Sequence, residues 1–219
     1  MVTTNAQNSS TNKRPRKKPR TMPKTKSHNN LRFQANTVGS APELKNCDTV
    51  STVSTAGSGA FLAPVAATLI NGIAQGTTEN QRVGRKVVMK SLLVNFFFTP
   101  SAGTLADSFR VLIIYDKQPI GVFPAVTDIL VSSSVLSPMN LSYSDRFTVL
   151  SNTIINQYTP MQNYLGSIYL KLGLDGLYSS TGALIANINT GAIYIMVADS
   201  SGAGADVLTF FSRIRYTDA

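Results

Sequence analysis

The chain has 219 residues and a formal net charge of +9, with a single cysteine and a single histidine. That length suits one ordinary domain with a full core rather than two, and a lone thiol excludes both an internal disulfide framework and a cysteine-rich zinc site. The charge is segregated. Lys13, Arg14, Arg16, Lys17, Lys18, Arg20, Lys24, Lys26 and Arg32 make nine cations before the first acidic residue, Glu43, while from residue 33 onward eleven Lys and Arg meet eleven Asp and Glu.

In chain order, residues 1–44 come first. They are poor in apolar side chains, rich in charge and broken by Pro15, Pro19 and Pro23, a composition that cannot offset the entropy of ordering it; residues 1–40 are expected to stay unfolded until bound. Lys13-Arg-Pro-Arg-Lys-Lys-Pro-Arg20 suits a polyanion, because clustered cations bind by releasing condensed counterions and need no shaped contacts. The same run also fits a nuclear import signal. With no aromatic residue before Phe33, base stacking adds little, and binding is expected to be electrostatic and nearly sequence-blind.

From residue 45 to 219 short β-branched and aromatic runs alternate with Gly, Pro, Ser, Asn and Asp, the rhythm of an all-β domain. Strands are expected at 48–55, 85–99, 108–116, 146–155, 166–174, 192–199 and 206–217, with weaker candidates at 60–70 and 183–188. In 166–174 Ile168, Leu170, Leu172 and Leu174 alternate with Tyr169, Lys171 and Gly173. In 206–217 Leu208, Phe210, Ile214 and Tyr216 oppose Thr209, Arg213 and Arg215. Each of these strands therefore lines a core on one side only. Segments 92–98, 111–115 and 192–198 are apolar at both parities, so both faces should be covered, and a partner subunit is one candidate cover. One short helix is expected around Val126, Ile129 and Leu130, with Thr127 and Asp128 as caps. Two packed antiparallel sheets, as in an eight-stranded jelly roll, accommodate this pattern.

Catalytic material is thin. His28 falls within the cationic tail, where no scaffold fixes it, and Cys47 has no His or second Cys nearby in sequence to activate it. The carboxylates Asp107, Asp116, Asp175, Asp199 and Asp206 fall at strand ends, where turns explain them. Gly76-Thr-Thr-Glu-Asn-Gln-Arg-Val-Gly84 lacks the spacing of a phosphate loop and leads into a strand. No apolar run approaches the roughly 20 residues that span a bilayer, and no apolar signal core follows the N-terminus. Folding inside the cell, no enzyme activity, no metal and no cofactor are the resulting expectations.

Gln75-Gly-Thr-Thr-Glu-Asn-Gln-Arg-Val-Gly-Arg-Lys-Val-Val-Met-Lys-Ser-Leu92, followed by Arg110-Val-Leu-Ile-Ile-Tyr-Asp-Lys-Gln-Pro119, Asp128-Ile-Leu130 and Arg146-Phe-Thr-Val-Leu150, resembles capsid proteins of circular, Rep-encoding single-stranded DNA viruses. The resemblance implies a jelly-roll shell domain at 45–219 and self-assembly into a small icosahedral shell of 60 copies. It also implies an arm at 1–44 that holds single-stranded DNA and engages the nuclear import machinery. The protein would then reside in the virion and, during assembly, in the host nucleus. Arg82, Arg85 and Lys86 are the body residues that would line the shell interior, with a solvated or salt-bridged surface as the alternative. Two further readings stay open: a coat protein of a small RNA or satellite virus, since an electrostatic arm does not distinguish the two polymers, and a cellular β-barrel that binds single-stranded nucleic acid.

Overall fold

The computed structural model describes residues 43–57, 59–101, 107–157, 163–200 and 206–219. The nine N-terminal cations and His28, and with them the expectation that 1–40 stays unfolded, lie outside the described residues.

Eight strands are β1 (Leu44–Ser54), β2 (Lys86–Thr99), β3 (Asp107–Asp116), β4 (Phe147–Gln157), β5 (Tyr164–Tyr178), β6 (Ile188–Thr190), β7 (Ala192–Asp199) and β8 (Val207–Asp218). One sheet runs β1-β8-β2-β5-β6 and the other β4-β3-β7, with antiparallel pairing throughout. An antiparallel bridge from Leu69 to Tyr194 extends the second sheet beyond β7. The chain therefore switches repeatedly between two packed sheets, which is the jelly-roll path, with one strand reduced to that bridge. The weak candidate at 60–70 supplies this bridge and a short 3-10 turn at Ala66–Thr68, and the one at 183–188 supplies a 3-10 turn at Ile185–Asn187 leading into β6.

Alternation sets the first sheet's inner face. Val87, Met89, Leu92, Val94, Phe96 and Phe98 of β2 are buried, as are Leu208, Phe210, Ile214 and Tyr216 of β8. Phe98 stacks on Phe109 of β3 with ring centroids 3.7 Å apart, joining the two sheets through the core. A bulge at Lys90 resets the parity of β2, so that Leu93, Asn95 and Phe97 point outward. Segment 92–98 thus has one wet face, contrary to the expectation of two covered ones.

β3 and β7 are buried on both faces, and the cover comes from their own chain rather than from a partner. Phe109 and Tyr115 of β3 face the first sheet, where Tyr115 Oη donates to the Asp175 carbonyl. On the opposite face Arg110 donates to the carbonyls of Val135 and Ser137, and Tyr194 packs edge-on against Phe123. Phe61, Ile129 and Leu130, all buried, belong to the same overlay. Here lies helix α1 (Val126–Ile129). The Asp128 carboxylate accepts the Ala125 N–H at 2.9 Å from inside the first turn, whereas Thr127 is simply helical.

Candidate nucleic-acid interface

The body's eleven cations divide by burial. Lys45 is buried, with Nζ 3.0 Å from Asp218 Oδ2 and 3.0 Å from the Gln81 carbonyl. Arg110 is buried and donates through Nε to Asn152 Oδ1 at 2.9 Å as well as to its two carbonyls. Arg146 grips the fully buried Asp116 through two hydrogen bonds of 2.9 and 2.8 Å.

Arg82 is the most confined. It has no exposed surface; Nε donates to the Ile73 carbonyl at 3.1 Å, Nη1 to Gly84 at 2.7 Å, Nη2 to Ser180, and the guanidinium lies 4.4 Å from the centre of the Tyr178 ring. Desolvation pushes its pKa below the usual arginine range. Arg82 is therefore buried within its own chain, unlike the exposed residue expected from sequence, and its donors are spent on tying its own loop to the one after β5. Arg85 is exposed, and Lys86 is exposed but pairs with Asp175 at 2.9 Å. The structure thus separates three residues that are near neighbours in sequence.

Missing from those expectations are Lys90, Lys171 and Arg215, exposed cations on the outward face of the first sheet. No ion pair joins any of them to a carboxylate among the described residues. Their signal was the polar parity of β5 and β8; what pattern alone did not supply is that both strands flank β2.

The thiol of Cys47 is buried, and burial raises its pKa from 9.0 to about 11, with the Asp48 carboxylate adding to the rise. It is a neutral core group near neutral pH. Among the described residues no group of three or more His, Cys, Asp or Glu could hold a metal ion.

A jelly roll joined to a strongly cationic N-terminal segment is the build of a small viral coat protein, a structural rather than a catalytic molecule. The sequence model of the family described as "Satellite tobacco necrosis virus coat protein" matches residues 15–219, and the chain belongs to that family. The capsid protein of Satellite tobacco necrosis virus 1 is 28% identical over 138 residues, which cover 62% of this chain and 69% of that one.

The family corrects the resemblance to Rep-encoding DNA viruses. The segments that carried it are places where the fold makes strict local demands. Arg82 ties three carbonyls, and Asp116 with Arg146 closes the β3–β4 end. Such demands report a jelly roll and not the polymer inside it. The single-stranded DNA genome, nuclear import and nuclear assembly that came with the resemblance lose that support.

Proposed function

We propose that this chain is the structural subunit of a small icosahedral virion, in which residues 1–44 hold a single-stranded RNA genome and residues 45–219 build the shell. The observation that carries the reading is membership in a satellite virus coat family over 15–219, a match that includes most of the cationic segment. The charge map agrees, since nine cations precede a body that sums to zero. Exposed apolar side chains agree as well: Ile120, Val131, Leu136 and Leu141 on the loops outside the second sheet are each more than 60% exposed, a surface that neighbouring subunits of a shell would cover. Sixty arms of this charge would supply on the order of 500 positive charges to neutralise phosphate by counterion release.

The test is to express the full chain and examine it by electron microscopy and gradient sedimentation, then extract the packaged nucleic acid. Closed particles of uniform size, with contents degraded by ribonuclease and resistant to deoxyribonuclease, are expected. Monomers at every salt concentration would count against the shell, and deoxyribonuclease-sensitive contents against the RNA genome.

A further inference from the structure

We propose that the outward face of the first sheet is a second genome contact, borne by the body, in which Lys90, Lys171 and Arg215 neutralise phosphates of a single-stranded nucleic acid beside Tyr169, on which a base stacks. This rests on the coat-protein reading and deepens it, since that reading assigns genome binding to residues 1–44 alone.

The register places these groups. Asn46, Arg215, Ser91 and Lys171 form one row across β1, β8, β2 and β5, and Asp48, Arg213, Leu93 and Tyr169 form the next. Lys90, the residue of β2 that is extra against β8, adjoins the first row and is also exposed. Ser91, Leu93, Tyr169, Arg213 and Arg215 line a shallow groove of about 190 Å³. Arg215 and Lys171 lie two strands apart, about 10 Å at the usual strand spacing.

Charge selects the occupant. Five cations on this face, Lys86, Lys90, Lys171, Arg213 and Arg215, meet two carboxylates, Asp175 and Asp48, which leaves a net +3 on one surface of a body that sums to zero. Asp48 is engaged by Arg213 through two hydrogen bonds of 2.7 and 2.6 Å, and Asp175 by Lys86. Both local anions are thus committed, and Lys90, Lys171 and Arg215, which join no carboxylate among the described residues, are left for an outside polyanion. Tyr169 is 61% exposed in their midst, and an exposed aromatic among cations is how single strands are held without sequence preference. Connectivity points the same way. The chain enters the sheet at Leu44, two residues or about 7 Å from the Arg215 row.

Two measurements on the full chain test the proposal. Ultraviolet cross-linking of filled particles, read by mass spectrometry, should join nucleotide to the peptide carrying Tyr169. In subunits released from particles, the combined Lys90→Gln, Lys171→Gln and Arg215→Gln variant should bind single-stranded RNA with a salt slope lowered by about 2, at roughly 0.7 for each phosphate no longer neutralised. Filled particles cross-linked only within residues 1–44, with an unchanged slope, would overturn this proposal alone. So would protection of Tyr169 from chemical modification to the same degree in empty and filled particles, which would make the face a subunit interface. Chains that form no particle and bind no RNA would overturn the coat reading, and this one with it.

Discussion

Arg82 shows what a single residue can conceal. In sequence it sits three and four positions from Arg85 and Lys86 and reads as part of one basic cluster. In the fold it is a buried strut whose acceptors are Ile73 and Gly84 of its own loop and Ser180 of the loop after β5. Only Gly84 is close in sequence; Ser180 is 98 positions away, beyond what local pattern can register. Arg82→Ala would strand buried carbonyls, at about 1–3 kcal/mol for each acceptor left unpaired. A fall in the denaturation midpoint is expected, with unchanged nucleic-acid content in whatever particles form. Normal stability with depleted contents would return Arg82 to the genome surface. Cys47 carries a second residue-scale expectation. Its folded pKa is raised from 9.0 to about 11, so the unfolded chain loses its proton first as pH rises. The contribution is complete below pH 9 and lost by about pH 11, and amounts to on the order of 2–3 kcal/mol. Tyr178 and Tyr216, also raised by burial, act in the same direction from about pH 10 upward. Denaturant titrations of Cys47→Ala should therefore show a shallower alkaline decline that begins nearer pH 10 than pH 9.

At the scale of elements, the seven firm strands were legible because alternation and β-branched runs are local signals; β2, β3 and β7 fall within one residue of where pattern places them. What pattern did not show was who covers whom. The doubly apolar runs of β3 and β7 need a second cover, and hydrophobicity alone leaves open whether a subunit or a loop supplies it. Segment 59–75 does part of this, and Asn71 is its rivet. Asn71 has no exposed surface; its side-chain amide donates to the Gly191 carbonyl at 2.6 Å and accepts from Ile193 N–H at 2.8 Å, while its own carbonyl accepts from Tyr178 Oη at 2.8 Å. Nothing in the run Ile70-Asn-Gly-Ile73 discloses partners some 120 residues on. Asn71→Ala removes the side-chain bonds to Gly191 and Ile193 and leaves a buried N–H and C=O unpaired at the start of β7, a loss of about 2–4 kcal/mol. Hydrogen exchange should show the Ile193 amide losing protection first, with β1–β8 pairing retained. Uniform loss across both sheets would mean the loop is integral to global stability rather than a cover locked in place.

For the whole molecule, the candidate genome surface was half visible: the cationic run can be counted in one dimension, whereas the sheet face exists only once β8 and β5 flank β2 and bring Arg215, Lys90 and Lys171 to one side. The same topology sets where the chain can be cut. Pairing of β1 with β8 starts at Leu44 with Thr217 and continues to Ser54 with Val207, so removing residues 1–32 deletes all nine N-terminal cations without touching a ladder bond in that pair. Removing residues 1–50 strips most of one edge strand, exposes the ladder of β8 and uncovers the core beside Cys47. Deletion of 1–32 should therefore leave the denaturation midpoint in place and lower the ratio of absorbance at 260 to 280 nm in purified particles. Deletion of 1–50 should yield insoluble chain. If particles lacking residues 1–32 still retained their full nucleic-acid content at moderate salt, the body face rather than the arm would be the main grip on the genome. Added salt would then release the contents with a slope set by the exposed sheet cations, because each phosphate set free recaptures counterions whichever part of the chain had held it.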